Sequence, residues 1–342
     1  MAFRASEGGF SFKEAAEVVD EHLGARLEEM RRFTRGLRNS NFRLDLADGS
    51  TCVLRVFHGE DPAAQAVEVL ALRHLAARPE AAGLPVPRVL GHGRGPESGS
   101  PYVLLTFLPG VNAGRGLPGL AEEERPAFAA ALGGLMARLH SVPPPLPGFG
   151  RWLRVERDAV VPDGGPRPGA LSFEQASFAH ALRRCREEGL LSAEGARLAE
   201  RFVARRWHAF DEREAAVFVH HDLHADNVLM EPRAAAEGGL RISGLLDFEH
   251  ARGRAAEYDW VMAAWSLPED GSDLALEAPG PLLRAFLEGY AAVRPLHPLW
   301  RERWLCYQMI KAVGFLAYKP AYVDFIEWNR RHVLRLASLD AG

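Results

Sequence analysis

The hydrophobic period of this chain changes at Gly110, and that change restricts its fold more than any other feature. Ahead of it, "FTRGLRNSNFRLDL" and "STCVLRVF" read as strands joined by a hairpin turn at "ADG" (47–49), and "LPVPRVLGHG" and "SPYVLLTFLPG" add two more. Strand-like apolar runs bounded by Gly, Asp and Pro are the pattern of half-buried strands. Behind it, helical texture dominates over 121–140, from Ser172 to Gly189, over 193–210 and through 255–339. A β-rich segment followed by a helical one predicts two packed units: an α+β lobe over 1–107 and a larger, mainly helical lobe over 108–342.

Local signals set the helix ends. Ser11 and Glu14 form a capping-box pattern with Gly24 as the stop, which predicts a first helix. Asp61 and Pro62 suit the N-cap and first turn of a second, whose Val67, Leu70, Ala71, His74 and Leu75 share a face. Ser172 and Gln175 suggest another capping box. Within the helical part, Val217-Phe218-Val219, Val228-Leu229-Met230 and "LRISGLLDFEH" read as short buried strands. Trp260, Trp265, Trp300, Trp304 and Trp328 are expected in the core.

Composition narrows the function. A formal net charge of −4 lacks the basic excess of a nucleic-acid binder. Cys52, Cys185 and Cys306 are odd in number and far apart, so a disulfide framework or zinc site is not expected and a reducing cytoplasm is. No stretch reaches the length of a membrane span, and no membrane partner is expected.

The chemistry is concentrated in "VFVHHDLHADNVLM" (217–230). His220, Asp222 and Asn227 stand in the spacing H-x-D-x-x-x-x-N, and Asp247 ends the next strand. Phosphoryl transfer needs a carboxylate to take the proton of an attacking hydroxyl, and oxygen ligands to hold Mg²⁺ against nucleotide phosphates. Asp222 suits the first task, and Asn227 and Asp247 the second. Two other classes fit part of the pattern. One is a metal-dependent hydrolase with His220, His221, His224 and Asp226 as ligands; the other is a non-catalytic nucleotide-binding module.

In these residues the chain resembles the aminoglycoside phosphotransferase and choline kinase-like small-molecule kinases. The family's H-G-D-L-H-x-x-N reads here His220-His221-Asp222-Leu223-His224-Ala225-Asp226-Asn227, its I-D-W/F-E/D reads Leu246-Asp247-Phe248-Glu249, and "GRAAEYDW" at 253–260 is similar to the segment that follows. The resemblance implies a bilobal, protein-kinase-like α+β fold. It implies Mg²⁺, ATP or GTP as co-substrate, and a small-molecule hydroxyl acceptor: an antibiotic, or a metabolite of the choline, homoserine or sugar type. Carried over residue by residue, Arg55, Glu68, Ser40 and Thr106 would contact the nucleotide, with His220 and Asp259 supporting the catalytic loop. A monomer or homodimer in the cytoplasm is expected. "LLDFEH" has Glu where protein kinases have the Gly of D-F-G, and no A-P-E follows, so a protein kinase proper is disfavoured.

The chain departs from the family in three places. Arg55 stands where a phosphate-facing lysine is usual, Gly36 alone represents the glycine-rich loop, and His221 replaces a glycine. A guanidinium still makes charge-assisted phosphate contacts, but it forks its hydrogen bonds. Between residues 245 and 290 stand nine acids (Asp247, Glu249, Glu257, Asp259, Glu269, Asp270, Asp273, Glu277, Glu288) against three bases, which predicts a cationic acceptor.

Overall fold

The capping box forms as expected: Ser11 Oγ accepts from Glu14 N–H, Glu14 reaches back to Ser11 N–H, and helix α1 (Phe12–Leu23) stops at Gly24 with φ 59°. The computed structural model describes residues 10–33, 39–59, 61–157, 159–163, 169–232, 240–267, 280–318 and 323–340. After α1 come β1 (Leu27–Arg32), β2 (Asn39–Leu46), β3 (Thr51–Phe57), α2 (Ala64–Ala76), β4 (Val89–Arg94) and β5 (Pro101–Thr106). The five strands form one antiparallel sheet in the order β1-β2-β3-β5-β4.

Alternation along the strands gives this sheet two faces with different partners. Phe42, Leu44, Leu46, Cys52, Leu54, Val56, Tyr102 and Leu104 form a small core with Ala15, Val18 and Val19 of α1. Phe57, Val103 and Leu105 point the other way and join α2 and the main core. Arg55 pairs in register with Asn41 and Val103, so its side chain leaves on that second face.

Beyond the sheet run β6 (Val111–Asn112), the single turn α3 (Ala113–Gly116), α4 (Arg125–His140), the hairpin β7 (Leu153–Glu156) and β8 (Ala159–Pro162), α5 (Ala170–Glu187) and α6 (Ala193–Ala204). Next come β9 (Val217–Val219), β10 (Val228–Pro232), β11 (Leu240–Leu245), β12 (Arg252–Arg254), α7 (Glu257–Ser266), α8 (Pro281–Ala291), α9 (Trp300–Tyr318) and α10 (Val323–Ser338). Helices α4 and α8 approach closely enough that a methyl group on Gly133 would overlap the Phe286 carbonyl, and one on Gly289 the Ala130 carbonyl.

Three local expectations are corrected. Residues 27–32 form an unexpected edge strand. Helix α2 starts after Ala63 rather than at Asp61, whose Oδ1 instead accepts from Ala63 N–H at 3.0 Å. Helix α5 starts after Gly169, which leaves Ser172 inside it, bonded to Glu212 rather than capping. Trp260 and Trp304 are core residues, whereas Trp265, Trp300 and Trp328 are half-buried.

Candidate active site

Two strand pairings bring the polar tips together. β12 lies antiparallel to β9 with Arg252 opposite Val219, and β10 lies antiparallel to β11 with Val228 opposite Leu245. The loop 220–227 and the turn 246–251 therefore run side by side, joined where Leu246 N–H donates to Asn227 O at 2.9 Å. Each carries a non-glycine residue in the left-handed region, His221 (φ 74°) and Asp247 (φ 70°). Such conformations cost about 1–3 kcal/mol each and persist only where neighbours over-determine them.

Asp259, on α7, supplies much of that determination. Its Oδ2 accepts from His220 N–H and its Oδ1 from His221 N–H, both at 2.7 Å, and His140 Nε2 lies 3.3 Å away. Although burial opposes the charge, these partners hold its carboxyl below the usual range. His220 donates from Nε2 to Leu246 O at 2.8 Å and accepts at Nδ1 from Asp222 N–H at 3.4 Å. Burial lowers its pKa, so it is a neutral tie between the two tips. The hydrolase reading thereby loses two of its four ligands: the ring nitrogens of His220 face backbone, and His221 Nε2 lies 3.2 Å from Arg254.

Arg55 bridges the lobes. Its Nη2 donates to Asp247 Oδ1 at 2.6 Å and lies 3.2 Å from Glu249 Oε2, and its Nε lies 3.1 Å from Glu68 Oε2 on α2. The Glu68 contact is close but misaligned, so neither atom completes a hydrogen bond. Asn39 Nδ2 donates to Glu249 Oε2 at 2.7 Å. One guanidinium thus faces three carboxylates. For both Glu68 and Glu249, burial foremost and the neighbouring carboxylates push the pKa up against the pull of Arg55.

Asp222, Asn227, Asp247, Arg55, Glu68, His220 and Asp259 thus gather around one pair of tips. Ser40 and Thr106 do not. Ser40 pairs with Val56 and its Oγ lies 2.9 Å from His58 Nε2; Thr106 pairs with Cys52 and its Oγ1 accepts from Arg88 N–H. Both register positions belong to the face opposite Arg55. Asn39, bonded to Glu249, stands on the Arg55 face instead, and strand parity with Arg55 is the signal that marks it. His224 sits 3.8 Å from Asp222 Oδ2 and 3.3 Å from Asn227 Nδ2. Gly36 lies outside the described residues, as do Glu269, Asp270, Asp273 and Glu277. Of the other five acids, Asp247 and Glu249 face Arg55, Asp259 braces the loop, Glu257 pairs with Arg303 at 3.0 Å, and Glu288 is exposed. Four of the five described acids thus have internal partners.

The donor set fits a hard divalent cation. Asn227 Nδ2 donates to Asp222 O at 2.9 Å, so the amide nitrogen is committed to the loop and Asn227 Oδ1 is the atom of this side chain that can act as a ligand. Asp247 is a quarter exposed, and the carboxylates around Arg55 outnumber their one guanidinium, so further positive charge is stabilised there.

A macrolide 2'-phosphotransferase from Brachybacterium faecium shares the fold at TM-score 0.60 and 19% identity, covering 94% of this chain and 97% of that one. The GDP complex of wild-type aminoglycoside 2'-phosphotransferase-IIIa does so at 0.59 and 14%, covering 97% and 100%. The architecture is the bilobal, protein-kinase-like α+β fold. By sequence, the chain is 30% identical to a homoserine kinase of Methylobacterium nodulans, over 95% of this chain and 97% of the relative. It is likewise 30% identical to a homoserine kinase of Acidiphilium cryptum, over 82% and 79%. The phosphotransferase enzyme family matches residues 29–296, the span that contains every residue of the two tips and the Arg55 bridge, and the chain belongs to that family as a small-molecule kinase, a transferase acting on a hydroxyl group.

Proposed function

We propose that this protein transfers the γ-phosphoryl group of ATP or GTP to the hydroxyl of a small metabolite, with Mg²⁺. The observation that carries the reading is the joined pair of tips, which holds Asp222, Asn227 and Asp247 on one frame. Asp222 takes the proton as the acceptor oxygen bonds to phosphorus; the bond from phosphorus to the bridging oxygen breaks, and the nucleoside diphosphate leaves with that electron pair. Asn227 and Asp247 would hold Mg²⁺, which neutralises phosphate charge when bound. Arg55 faces the phosphates in place of lysine, positioned by Glu68 and Glu249. Residues 1–107 serve as the nucleotide-binding lobe and 108–342 as the lobe of catalysis and acceptor binding.

The acceptor proposed is an ammonium-bearing alcohol of the homoserine type. Full-length relatives carrying that name support it, and it keeps the cationic group expected from the acidic balance. An antibiotic acceptor has weaker support, because the resistance-type neighbours are similar in fold alone. A cytoplasmic location accords with three buried, unpaired cysteines. The test is nucleoside diphosphate release with Mg²⁺ against homoserine, choline, sugars, aminoglycosides and macrolides. Release with homoserine above all others is expected; turnover with an antibiotic alone would overturn the acceptor, and release with none would overturn the activity.

A further inference from the structure

Helix and strand packing places three arginines near the catalytic loop, and two of them have carboxylates. Arg254 Nε donates to Glu174 Oε1 at 2.8 Å and Nη2 to Oε2 at 2.5 Å, with its guanidinium 3.5 Å over the Tyr258 ring. Arg151 is paired with Asp61. Arg252 is different. Its Nε donates to the His250 carbonyl at 3.0 Å, and among the described residues no carboxylate meets its guanidinium.

Its surroundings make that omission costly. Arg252 and Arg254 share a face of β12, because they are two residues apart on a strand. The Arg252 side chain is half-buried, and burial, then Arg151 and Arg254, bring its pKa down to about 9 against the weaker pull of Tyr258 and of Asp61, whose carboxylate Arg151 already holds. His221 offers no compensation: burial and the nearby Arg252, Arg254 and Lys311 keep its imidazole neutral. Lys311 adds another ammonium, 3.2 Å from His221 O. A guanidinium withdrawn from water among like charges is unfavourable until an anion completes it, and its planar fork matches an oxyanion with two parallel N–H donors. The position is also telling, since the register of Arg252 with Val219 sets it one residue from the start of the loop that carries Asp222.

We propose that Arg252 is the anion-binding residue of a site beside the catalytic loop, and that the oxyanion it takes is the carboxylate of the phosphoryl acceptor. The acceptor part rests on the kinase reading above; the anion site itself does not. The same chemistry would take a free inorganic oxyanion, so the test has two arms.

The first arm needs no turnover. Inorganic phosphate, titrated against sodium chloride of equal ionic strength, should raise the Tm of the wild-type protein, and Arg252→Gln should lose that rise while Arg252→Lys keeps part of it. The second compares kcat/KM for homoserine with that for 3-aminopropan-1-ol, the same alcohol without its carboxylate. Arg252→Gln should lower this ratio by roughly 10- to 100-fold, the worth of a charge-assisted bond. Loss of the phosphate effect with an unchanged ratio would keep the site and overturn the acceptor carboxylate as its anion. A folded Arg252→Gln protein with both the wild-type phosphate response and the wild-type ratio would overturn the proposal, while activity in that same experiment would leave the kinase reading standing.

Discussion

Replacing Arg55 with alanine removes the guanidinium that faces Glu68, Asp247 and Glu249. Glu68 is wholly buried and Glu249 nearly so, whereas Asp247 retains a quarter of its exposure and is partly screened by water. Breaking a buried pair by removing one partner destabilises by about 3–5 kcal/mol, because the orphaned charge stays desolvated. Protonation is the escape available to the carboxylates. Glu68 already has a folded-state pKa above its ordinary 4.5, so over a window opening at pH 4.5 the folded state holds a proton that the unfolded state has lost. Across that window this group makes stability fall as pH rises, and without Arg55 both the shift and the fall should grow. Urea unfolding at pH 6 and pH 8 reads this directly, and urea is preferable to guanidinium, which would itself supply cations. Arg55→Ala should lose about 3–5 kcal/mol at pH 8 and less at pH 6, with Mg²⁺ restoring part of the loss. A variant within 1 kcal/mol of wild type at pH 8, a span typical of exposed ion pairs, with an unchanged pH slope, would refute the bridge as an energetic unit.

Other perturbations separate the remaining roles. Asp222→Asn should lose most turnover while nucleotide affinity stays within a few-fold, and wild-type turnover would remove its assignment as the proton acceptor. Asp247→Ala should abolish Mg²⁺-dependent nucleotide binding, checked by calorimetry with and without the metal; unchanged affinity would count against it as a ligand. Gly133→Ala, stabilising in an ordinary helix interior, should here cost about 1–3 kcal/mol because the added methyl meets backbone rather than a yielding side chain. A thermal melt at or above wild type would show that α4 and α8 can part.

Periodicity and turn residues disclose much of this fold because they report burial of whole elements. The helix from Ser11 to Gly24, the hairpin at 47–49 and the strands around the catalytic loop are all read that way. Residues 27–32 escape it: "LEEMRR" buries only Leu27, and charges on an edge strand hide the alternation while protecting the edge. The H-x-D-x-x-x-x-N spacing marks the loop because its residues are close in sequence. Asn39 and Glu249 lie 210 positions apart, and only the register of β2 with β3, which sets Asn39 on the Arg55 face, brings the pair into view. Ser40 was the more familiar phosphate-binding type, but parity decides the face. Buried pairing such as Arg254 with Glu174, 80 positions apart, leaves no local trace at all.

His221 holds a backbone shape that glycine adopts freely, and does so while its ring stacks 4.5 Å from Tyr258, its Nε2 meets Arg254 and its carbonyl meets Lys311. Glycine there would relieve the strain yet leave Arg254 without that acceptor and Tyr258 without its stacked neighbour. Arginine at 254, in turn, depends on a neutral ring beside it. The effect of a substitution at 221 is therefore contingent on what stands at 254 and 258, so changes at the three positions are coupled and a paired change need not equal the sum of the single ones.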